Sequence, residues 1–213
     1  MEQLDVCCKT TGASLPWRAR RSVRRYRPEP IPQGIIDQLL EAAVTAPSAH
    51  NRQPWRFATL SSNRLKATLA RAMGDRLRED RRGDKDPSAD IEADVARSFA
   101  RITGAATVVI VCLSMEDMDV YPDVLRNRIE HQMAVQSTAM AGQNFLLTAH
   151  AAGLGACWLC APMFCPDTVC NSLGLPGHRE PQGMITIGYP IGPDKPAVRR
   201  SMSDVAMLLT DAP

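Results

Sequence analysis

The segment HQMAVQSTAMAGQNFLLTAHAAGLGACWLCAPMFCP, residues 131–166, contains no aspartate, glutamate, lysine or arginine. Its length would be sufficient to cross a bilayer. However, glutamine, asparagine and histidine side chains recur through it, and Gly153, Gly155 and Pro162 interrupt it. These features favour a buried helix followed by a buried strand. A helix that is apolar nearly all round belongs in the middle of a fold or in a subunit interface.

Hydrophobic periodicity predicts the elements on both sides of this segment. Apolar residues recur at helical spacing over residues 35–44, and the pattern stops at Pro47. The run TVVIVCL, residues 107–113, is rich in β-branched residues and predicts a strand buried on both faces. The predicted helices are 35–44, 63–82, 91–102 and 128–152, and the predicted strands are 55–60, 107–113, 155–160 and 183–189.

The segment RRGDKDPSAD, residues 81–90, is the most polar part of the chain. We expect it to be a mobile excursion over the surface. No repeat, linker or low-complexity segment divides the 213 residues. The sequence therefore predicts one domain of the α+β type.

The overall charge is nearly balanced, with 25 lysines and arginines against 23 aspartates and glutamates and a net charge of +2. A general polyanion binder carries a larger basic excess, so nucleic acid is not an expected partner. Six arginines nevertheless lie between Arg18 and Arg27, which indicates a local role for this positive charge. Arg20 and Arg21 look like a twin-arginine export signal, but prolines follow where the apolar part of such a signal should stand. We therefore expect a cytoplasmic protein with no membrane partner.

The chain has seven cysteines, an odd number that indicates free thiols in a cytosolic protein. Cys157, Cys160, Cys165 and Cys170 follow a C-x2-C-x4-C-x4-C spacing. A metal or an iron–sulfur cluster could use this array, or its first two cysteines could form a redox pair. Residues three apart on a strand point to opposite faces, however, so Cys157 and Cys160 are poorly placed for chelation. We expect no metal site.

The motifs of the common catalytic sites are missing from the sequence. There is no convincing catalytic triad, no H-E-x-x-H motif and no Walker loop, and the four histidines show no ligand spacing. Gly153-Leu154-Gly155 lacks the third glycine of a dinucleotide-binding fingerprint. A deep core without an evident acid, base or nucleophile suggests that a cofactor supplies the reactive group.

Two polar stretches have side chains that suit a flat, phosphorylated heterocycle. Arg20, Ser22 and Arg24 can form charge-assisted hydrogen bonds with a terminal phosphate. Arg199 and Arg200 could close the same anion site. In APSAHNRQPWRF, residues 46–57, paired donors and acceptors for a ring edge come from Ser48, Asn51 and Gln53. A solvated basic loop and an ordinary turn are the alternatives for these two stretches.

Together these motifs resemble the FMN-dependent nitroreductase family. The resemblance rests on RRSVRRY, a following amphipathic helix, APSxxNxQPWRF, GLGxCW and a strand that ends in GY, and it covers residues 16–205. It implies an α+β fold in which helices flank a mainly antiparallel central sheet. It also implies a homodimer with two FMN molecules in its interface, with the long helix in that interface and the C-terminal segments exchanged between subunits. Residues 1–213 would form a single FMN-binding domain with an N-terminal extension at 1–15.

The resemblance also implies which residues hold FMN. Its phosphate and ribityl chain would be bound by Arg20, Arg21, Ser22 and Arg24, and Arg24 would also lie near the N1 and O2 edge of the ring. The partner subunit would contribute Pro47, Ser48, Asn51 and Gln53. Backbone groups of Cys157, Trp158 and Leu159 would face the ring, and Arg199 and Arg200 would complete the phosphate site. No catalytic side chain is implied, because N5 of the flavin carries the hydride.

The implied activity is ping-pong hydride transfer from NADH or NADPH through FMN to a small acceptor such as a nitroaromatic, a quinone or an enone. Many nitroreductases have a proline and then a glutamate–glycine pair beneath the flavin, where this chain reads ACWLCAP. The stretches GLGACWL, EPQGMITIGYP and YPDVLRNRIEH look more like the branch that contains the nitroreductase-like domain of the deazaflavin-coenzyme glutamyl ligase. The alternatives are therefore a flavin-dependent reductase of a deazaflavin-coenzyme precursor, a flavin-binding or storage protein without turnover, and a nucleic-acid or membrane-surface protein that uses the arginines.

Overall fold

A four-stranded antiparallel sheet lies at the centre of the computed structural model, which describes residues 16–192 and 197–209. Its strands are β1 (Trp55–Leu60), β2 (Thr107–Leu113), β3 (Gly155–Leu159) and β4 (Glu180–Gly188), in the order β1-β2-β4-β3. β1 and β2 have the predicted bounds. The predicted α+β class with a mainly antiparallel sheet is confirmed. The predicted N-terminal extension, residues 1–15, lies outside the described residues.

Helices cover both faces of this sheet. They are α1 (Pro16–Ala19), α2 (Gln33–Val44), α3 (Asn63–Gly83), α4 (Ser88–Thr103), α5 (Val124–Ala151) and α6 (Pro166–Leu173), with short 3-10 turns at Ala49–Asn51, Ala161–Phe164 and Met202–Asp204. The core on one face is formed with α2 and α5, and the core on the other face with α3, α4 and α6.

β2 shows how the sheet serves both cores. Val109 and Val111 pack with α2 and α5, whereas Val108 and Ile110 pack on the opposite face. All seven side chains of β2 are buried. This alternation between two apolar environments is why the strand reads as an unbroken hydrophobic run.

α5 is the long helix that the uncharged segment predicts, and it begins four residues before its predicted start. Asp123 caps it, because a carboxylate oxygen accepts a hydrogen bond from the Arg126 amide at 2.8 Å. The helix ends at Ala151, and Gly153 follows with a φ of 75°. Glycine adopts that left-handed conformation without steric cost, so it terminates the helix as expected.

The prediction of a mobile excursion over residues 81–90 is wrong. α3 continues through Gly83 and α4 begins at Ser88, which leaves only a short turn between two packed helices. The Arg81 guanidinium binds the Asp86 carboxylate at 2.6 Å and also pairs with Asp94 in α4. Arg81 therefore joins the turn to α4 through these two ion pairs.

α6 was not predicted, because its sequence PDTVCNSL is short and mostly polar. Pro166 occupies its first turn, where proline is tolerated, and the helix buries Val169 in the core. Among the residues that the structure describes, none of the helices has both the length and the apolar character that crossing a membrane requires.

Candidate functional site

The arginine segment, residues 18–27, lies beside β3 at one edge of the sheet. The Val23 amide donates to the Ala156 carbonyl at 3.1 Å, and Ser22 forms a parallel bridge with the same residue. A Cβ atom on Gly155 would lie 2.6 Å from Cγ1 of Val23, so only glycine permits this approach. Backbone pairing and close packing therefore fix the arginine segment to β3.

Tyr26 provides a second anchor for the arginine segment. Its buried hydroxyl lies 2.5 Å from the Val23 carbonyl oxygen and 2.9 Å from the Thr186 carbonyl oxygen in β4. Val23 and Tyr26 point into the core, and the side chains of Arg24 and Arg25 between them are exposed. The backbone is thus held at two points while the guanidinium groups stay available to a ligand.

Three polar side chains influence the pKa of the Cys157 thiol, which is buried in β3. Burial raises the pKa of this thiol, and the opposing effects come from the charge of Arg24, a hydrogen bond from Ser22 and the charge of Arg101. These influences place Ser22 and Arg24 next to β3, as expected from the arginine motif. They also bring in Arg101 from the last turn of α4.

Arg101 is a candidate site residue that the sequence analysis does not include. It is half-buried, next to the fully buried Ile102, and it forms no ion pair among the described residues. A basic residue at the end of a helix is usually explained by the helix dipole, so the local sequence gives no reason to place it in a site. Its position near Arg24 and Cys157 arises only from the packing of α4 against the sheet.

The side chains of β3 divide between the two faces of the sheet. Trp158 packs with α2 and α5, and Leu159 packs in the opposite core. The indole lies directly over Gly142 of α5 and Gly183 of β4, where a Cβ on Gly183 would be 2.7 Å from the ring. The Trp158 side chain is therefore directed away from Ser22 and Arg24. The prediction for residues 157–159 concerns backbone groups, and the backbone of Trp158 could still reach a ligand.

The amide turn, residues 47–53, is a largely exposed loop before β1 with hydrogen bonds between its own residues. The Ser48 hydroxyl accepts the Gln53 amide at 3.0 Å, and the Gln53 side chain donates to the Asn51 side-chain oxygen at 3.3 Å. His50, Asn51 and Gln53 have φ values of 49°, 54° and 50°. Such left-handed conformations are costly for residues other than glycine and concentrate at functional sites. The Ala49 amide, which donates to Ser137 of α5 at 3.3 Å, ties the turn to the long helix.

The arginine segment and the amide turn lie at diagonally opposite corners of the sheet. β1 and β3 are the two edges, separated by β2 and β4, which is about 14 Å across three strand spacings. Trp55, which follows the amide turn, pairs with Leu113 of β2, and Leu113 pairs with Glu180 at the start of β4. Gly155, which lies next to the arginine segment, pairs with Gly188 at the other end of β4. That offset adds roughly 25 Å along the strands. A single chain therefore does not bring Pro47, Ser48, Asn51 and Gln53 to the arginines.

Comparison with known proteins decides the relationship that the motifs suggested. Residues 17–189 match the Nitroreductase family. The chain belongs to the Nitroreductase family. The predicted family is thereby confirmed.

Relatives within the family come from bacteria and archaea. The NADH dehydrogenase of Thermus thermophilus is 29% identical over 88% of this chain and 91% of its own length. A provisionally named NADH dehydrogenase/NAD(P)H nitroreductase of Methanothermobacter thermautotrophicus is 28% identical over 81% of this chain and 74% of its own length. The crystal structure of a provisionally named nitroreductase from Desulfovibrio desulfuricans in complex with FMN has a TM-score of 0.70 and 26% identity, covering 92% of this chain and 95% of that one.

The C-terminal arm of this nitroreductase-family chain, residues 197–209, carries Arg199 and Arg200. Both arginines are exposed, and no hydrogen bond or ion pair within the described ranges joins them to the arginine segment. The arm also exposes large apolar side chains, with Val198 97% and Leu209 83% accessible. Contiguous apolar groups on a surface are typical of an interaction site.

The cysteines of this nitroreductase-family chain are free thiols wherever the structure describes them. Cys157 is buried in β3 and Cys160 is exposed beyond its end, so the first two members of the array do not converge. Burial raises the pKa values of Cys165 and Cys170, and it raises the pKa of Cys112 to about 12. These thiols are protonated at neutral pH and are poor nucleophiles. In the described part of the chain, no three histidine, cysteine or acidic side chains are grouped as a metal site requires.

Proposed function

We propose that this protein is an FMN-dependent oxidoreductase that takes electrons from NADH or NADPH. The observation that carries the proposal is that the backbone of Ser22 and Val23 is joined to β3 at Ala156, while Arg24 and Arg101 line one cleft beside that strand. Guanidinium and hydroxyl groups suit both a phosphate and the electron-rich edge of a flavin. The FMN in the Desulfovibrio desulfuricans relative supports the same cofactor here.

In this proposal the two sides of FMN have separate sets of ligands. The phosphate and ribityl chain are bound by Arg20, Arg21, Ser22, Arg24, Arg199 and Arg200, and Arg101 joins this set. The ring is bordered by backbone groups of Cys157, Trp158 and Leu159 and by Pro47, Ser48, Asn51 and Gln53 of a second subunit. No metal is part of the proposed site.

The chemistry that FMN supplies when it is bound is reversible hydride transfer at N5. We therefore assign no side chain as acid, base or nucleophile. The contribution of the chain is binding and electrostatics: the charge of Arg24 stabilises negative charge at the adjacent ring edge. That effect is stronger in a site from which water is excluded.

The positions of the two ligand sets support a homodimer with FMN at the subunit interface. Because the arginine segment and the amide turn lie at opposite corners of one sheet, a second copy is needed to bring them together. Apolar residues exposed at the start of α5, Val124 and Leu125, supply interface area together with the C-terminal arm. A two-fold dimer would form two equivalent sites of this kind.

The proposed acceptor is a small electron-poor molecule of the nitroaromatic, quinone or enone class. The names of the Thermus thermophilus and Methanothermobacter thermautotrophicus relatives support a nicotinamide nucleotide as donor. Reduction of a deazaflavin-coenzyme precursor and flavin storage without turnover stay alternative predictions. Free thiols among the described cysteines support a location in the cytoplasm, where disulfides are rare.

The test is FMN titration followed by anaerobic reduction. We expect yellow protein whose flavin absorbance is bleached by NADH or NADPH. Arg24→Ala and Arg101→Ala should raise the Kd for FMN about ten- to a hundredfold, because a charge-assisted hydrogen bond contributes about 1.5–3 kcal/mol. Arg71→Ala, which removes an exposed arginine of α3, is the matched control and should leave the Kd unchanged. An unchanged Kd in both site variants would remove these arginines from the site, and bound flavin that neither nucleotide bleaches would favour storage.

A further inference from the structure

An arginine cleft of about 730 Å³ extends from the proposed FMN site to the surface beside α4. Its lining includes Arg24 and Arg25 from the arginine segment, Arg97 and Arg101 from α4, and Tyr26 and Ile191. The two arginines next to Cys157, Arg24 and Arg101, belong to the site already proposed. Arg25 and Arg97 have no part in it.

The positive charge of this cleft is only partly compensated, because Arg97 alone of its four arginines has an ion pair among the described residues. No carboxylate is among its lining residues in the described part of the chain. Arg97 pairs with Asp94, and Arg81 pairs with both Asp94 and Asp86, so two carboxylates serve these two guanidinium groups. The side chain of Arg25 has no ion pair among the described residues. A concave surface with this charge attracts an anion.

The elements that carry these arginines are fixed before any ligand binds. Arg97 lies on α4, and the Arg25 carbonyl accepts the Ile191 amide at 3.2 Å, next to the bridge between Tyr26 and Pro190. The backbone positions of both guanidinium groups are therefore set by secondary structure. Two such groups match the oxygen atoms of a phosphate monoester, which is doubly charged near neutral pH.

We propose that Arg25 and Arg97 form a subsite for a phosphate monoester of the electron donor, the 2′-phosphate of NADPH. This inference rests on the proposed function, because it requires a nicotinamide nucleotide to be the donor. A molecule that places one end at FMN and a phosphate at Arg25 and Arg97 would occupy the cleft along its length. NADH carries a hydroxyl at the same position and gains nothing from the two arginines. NADPH is therefore the preferred donor.

The first experiment measures kcat/KM of the FMN-loaded protein for NADPH and for NADH at one ionic strength. We expect the wild type to prefer NADPH, and we expect Arg25→Gln and Arg97→Gln each to lower kcat/KM for NADPH about tenfold, the value of one charge-assisted hydrogen bond. Values for NADH and the Kd for FMN should not change. Arg97→Lys should keep part of the preference, and Arg71→Gln should keep all of it.

Three results would overturn the inference. The first is a wild type with equal kcat/KM for both donors, and the second is a variant that loses the same factor with each. The third is a rise in the Kd for FMN with an unchanged donor ratio, which would mean that the cleft holds the phosphate of FMN itself.

A second experiment separates this inference from the proposed function. Adenosine 2′,5′-bisphosphate should bind the protein in calorimetry at least about tenfold more tightly than AMP, and Arg97→Gln should remove the difference. This measurement needs no turnover. A protein that neither binds FMN nor is reduced by either nucleotide would refute the proposed function, whereas equal binding of the two adenosine phosphates would refute the phosphate subsite.

Discussion

Cys157 shows at the residue scale how burial and charge compete in the proposed site. Its thiol is buried beside Arg24 and Arg101, and desolvation outweighs the two positive charges, so the pKa is raised. The sulfur is therefore neutral at physiological pH and does not compensate the nearby guanidinium groups. Their charge remains available to an anionic ligand, which is the property that the proposed function requires.

Cys112 gives a pH prediction at the same scale. Burial raises the pKa of its thiol from 9.0 to about 12, so the unfolded chain loses this proton at a lower pH than the folded chain does. The free energy of unfolding should be unaffected below about pH 9 and should then fall by up to about 1.4 kcal/mol per pH unit. Urea unfolding at pH 8 and pH 10 under reducing conditions measures this fall.

Cys112→Ala is the control for the other groups that titrate in this range. Burial also raises the pKa values of Cys157, Cys165 and Cys170 and lowers that of Lys66. These groups contribute to the pH dependence of both proteins, so the difference between the two slopes isolates the Cys112 thiol. We expect the variant to lose less stability than the wild type between pH 8 and pH 10. Equal losses would contradict the assignment of a raised pKa to Cys112.

At the scale of elements, the packing of Trp158 determines how β3 meets α5 and β4. The indole occupies space that side chains at Gly142 and Gly183 would otherwise fill. The backbone of β3 also pairs with the arginine segment through Ala156. The packing of Trp158 is therefore linked through β3 to one of the two anchors of the arginine segment, the other being Tyr26 on β4.

Gly142→Ala tests this link. Alanine is the better helix former by about 1 kcal/mol, yet its Cβ would overlap the Trp158 ring. Because the indole must move, we expect a net destabilisation of about 1–3 kcal/mol and altered indole fluorescence. Gly34→Ala in α2, where no atom lies within 4 Å of the new Cβ, should be neutral or slightly stabilising. Unfolding in urea compares the two, and an unperturbed Gly142→Ala protein would show that the contact is unimportant.

Local sequence patterns were sufficient to predict the elements whose buried and exposed faces follow a regular hydrophobic pattern. β1 and β2 match their predicted bounds, and the uncharged segment gave α5 followed by β3. Two features were not predicted because they depend on contacts between distant residues. The segment 81–90 is ordered by ion pairs of Arg81 with acids across the turn, and Arg101 approaches Cys157 only after α4 has packed. The sequence motifs were sufficient to propose the phosphate ligands. They could not predict the pairing of Ser22 with Ala156, because these residues are far apart in the sequence.

At the scale of the whole molecule, the decisive feature is the separation of the two predicted ligand sets. The arginine segment is joined to one edge strand, and the amide turn precedes the other. Exposed apolar side chains lie on α5 and along the C-terminal arm, including Met202 at 80% accessibility. In a lone chain the two ligand sets would stay apart and these apolar surfaces would be exposed to water. A symmetric dimer would bring the ligand sets together and bury the apolar surfaces.

Subunit mixing tests the shared site most directly. Arg24→Ala is expected to weaken FMN binding through the arginine segment, and Asn51→Asp through the amide turn. Aspartate, like asparagine, tolerates the left-handed φ of this position. In a mixed dimer, one site carries both substitutions and the other carries neither. After exchange between equal amounts of the two variants, FMN titration should find about one quarter of all sites restored to wild-type affinity. If mixing restores none, each site is built from a single chain and the account is contradicted.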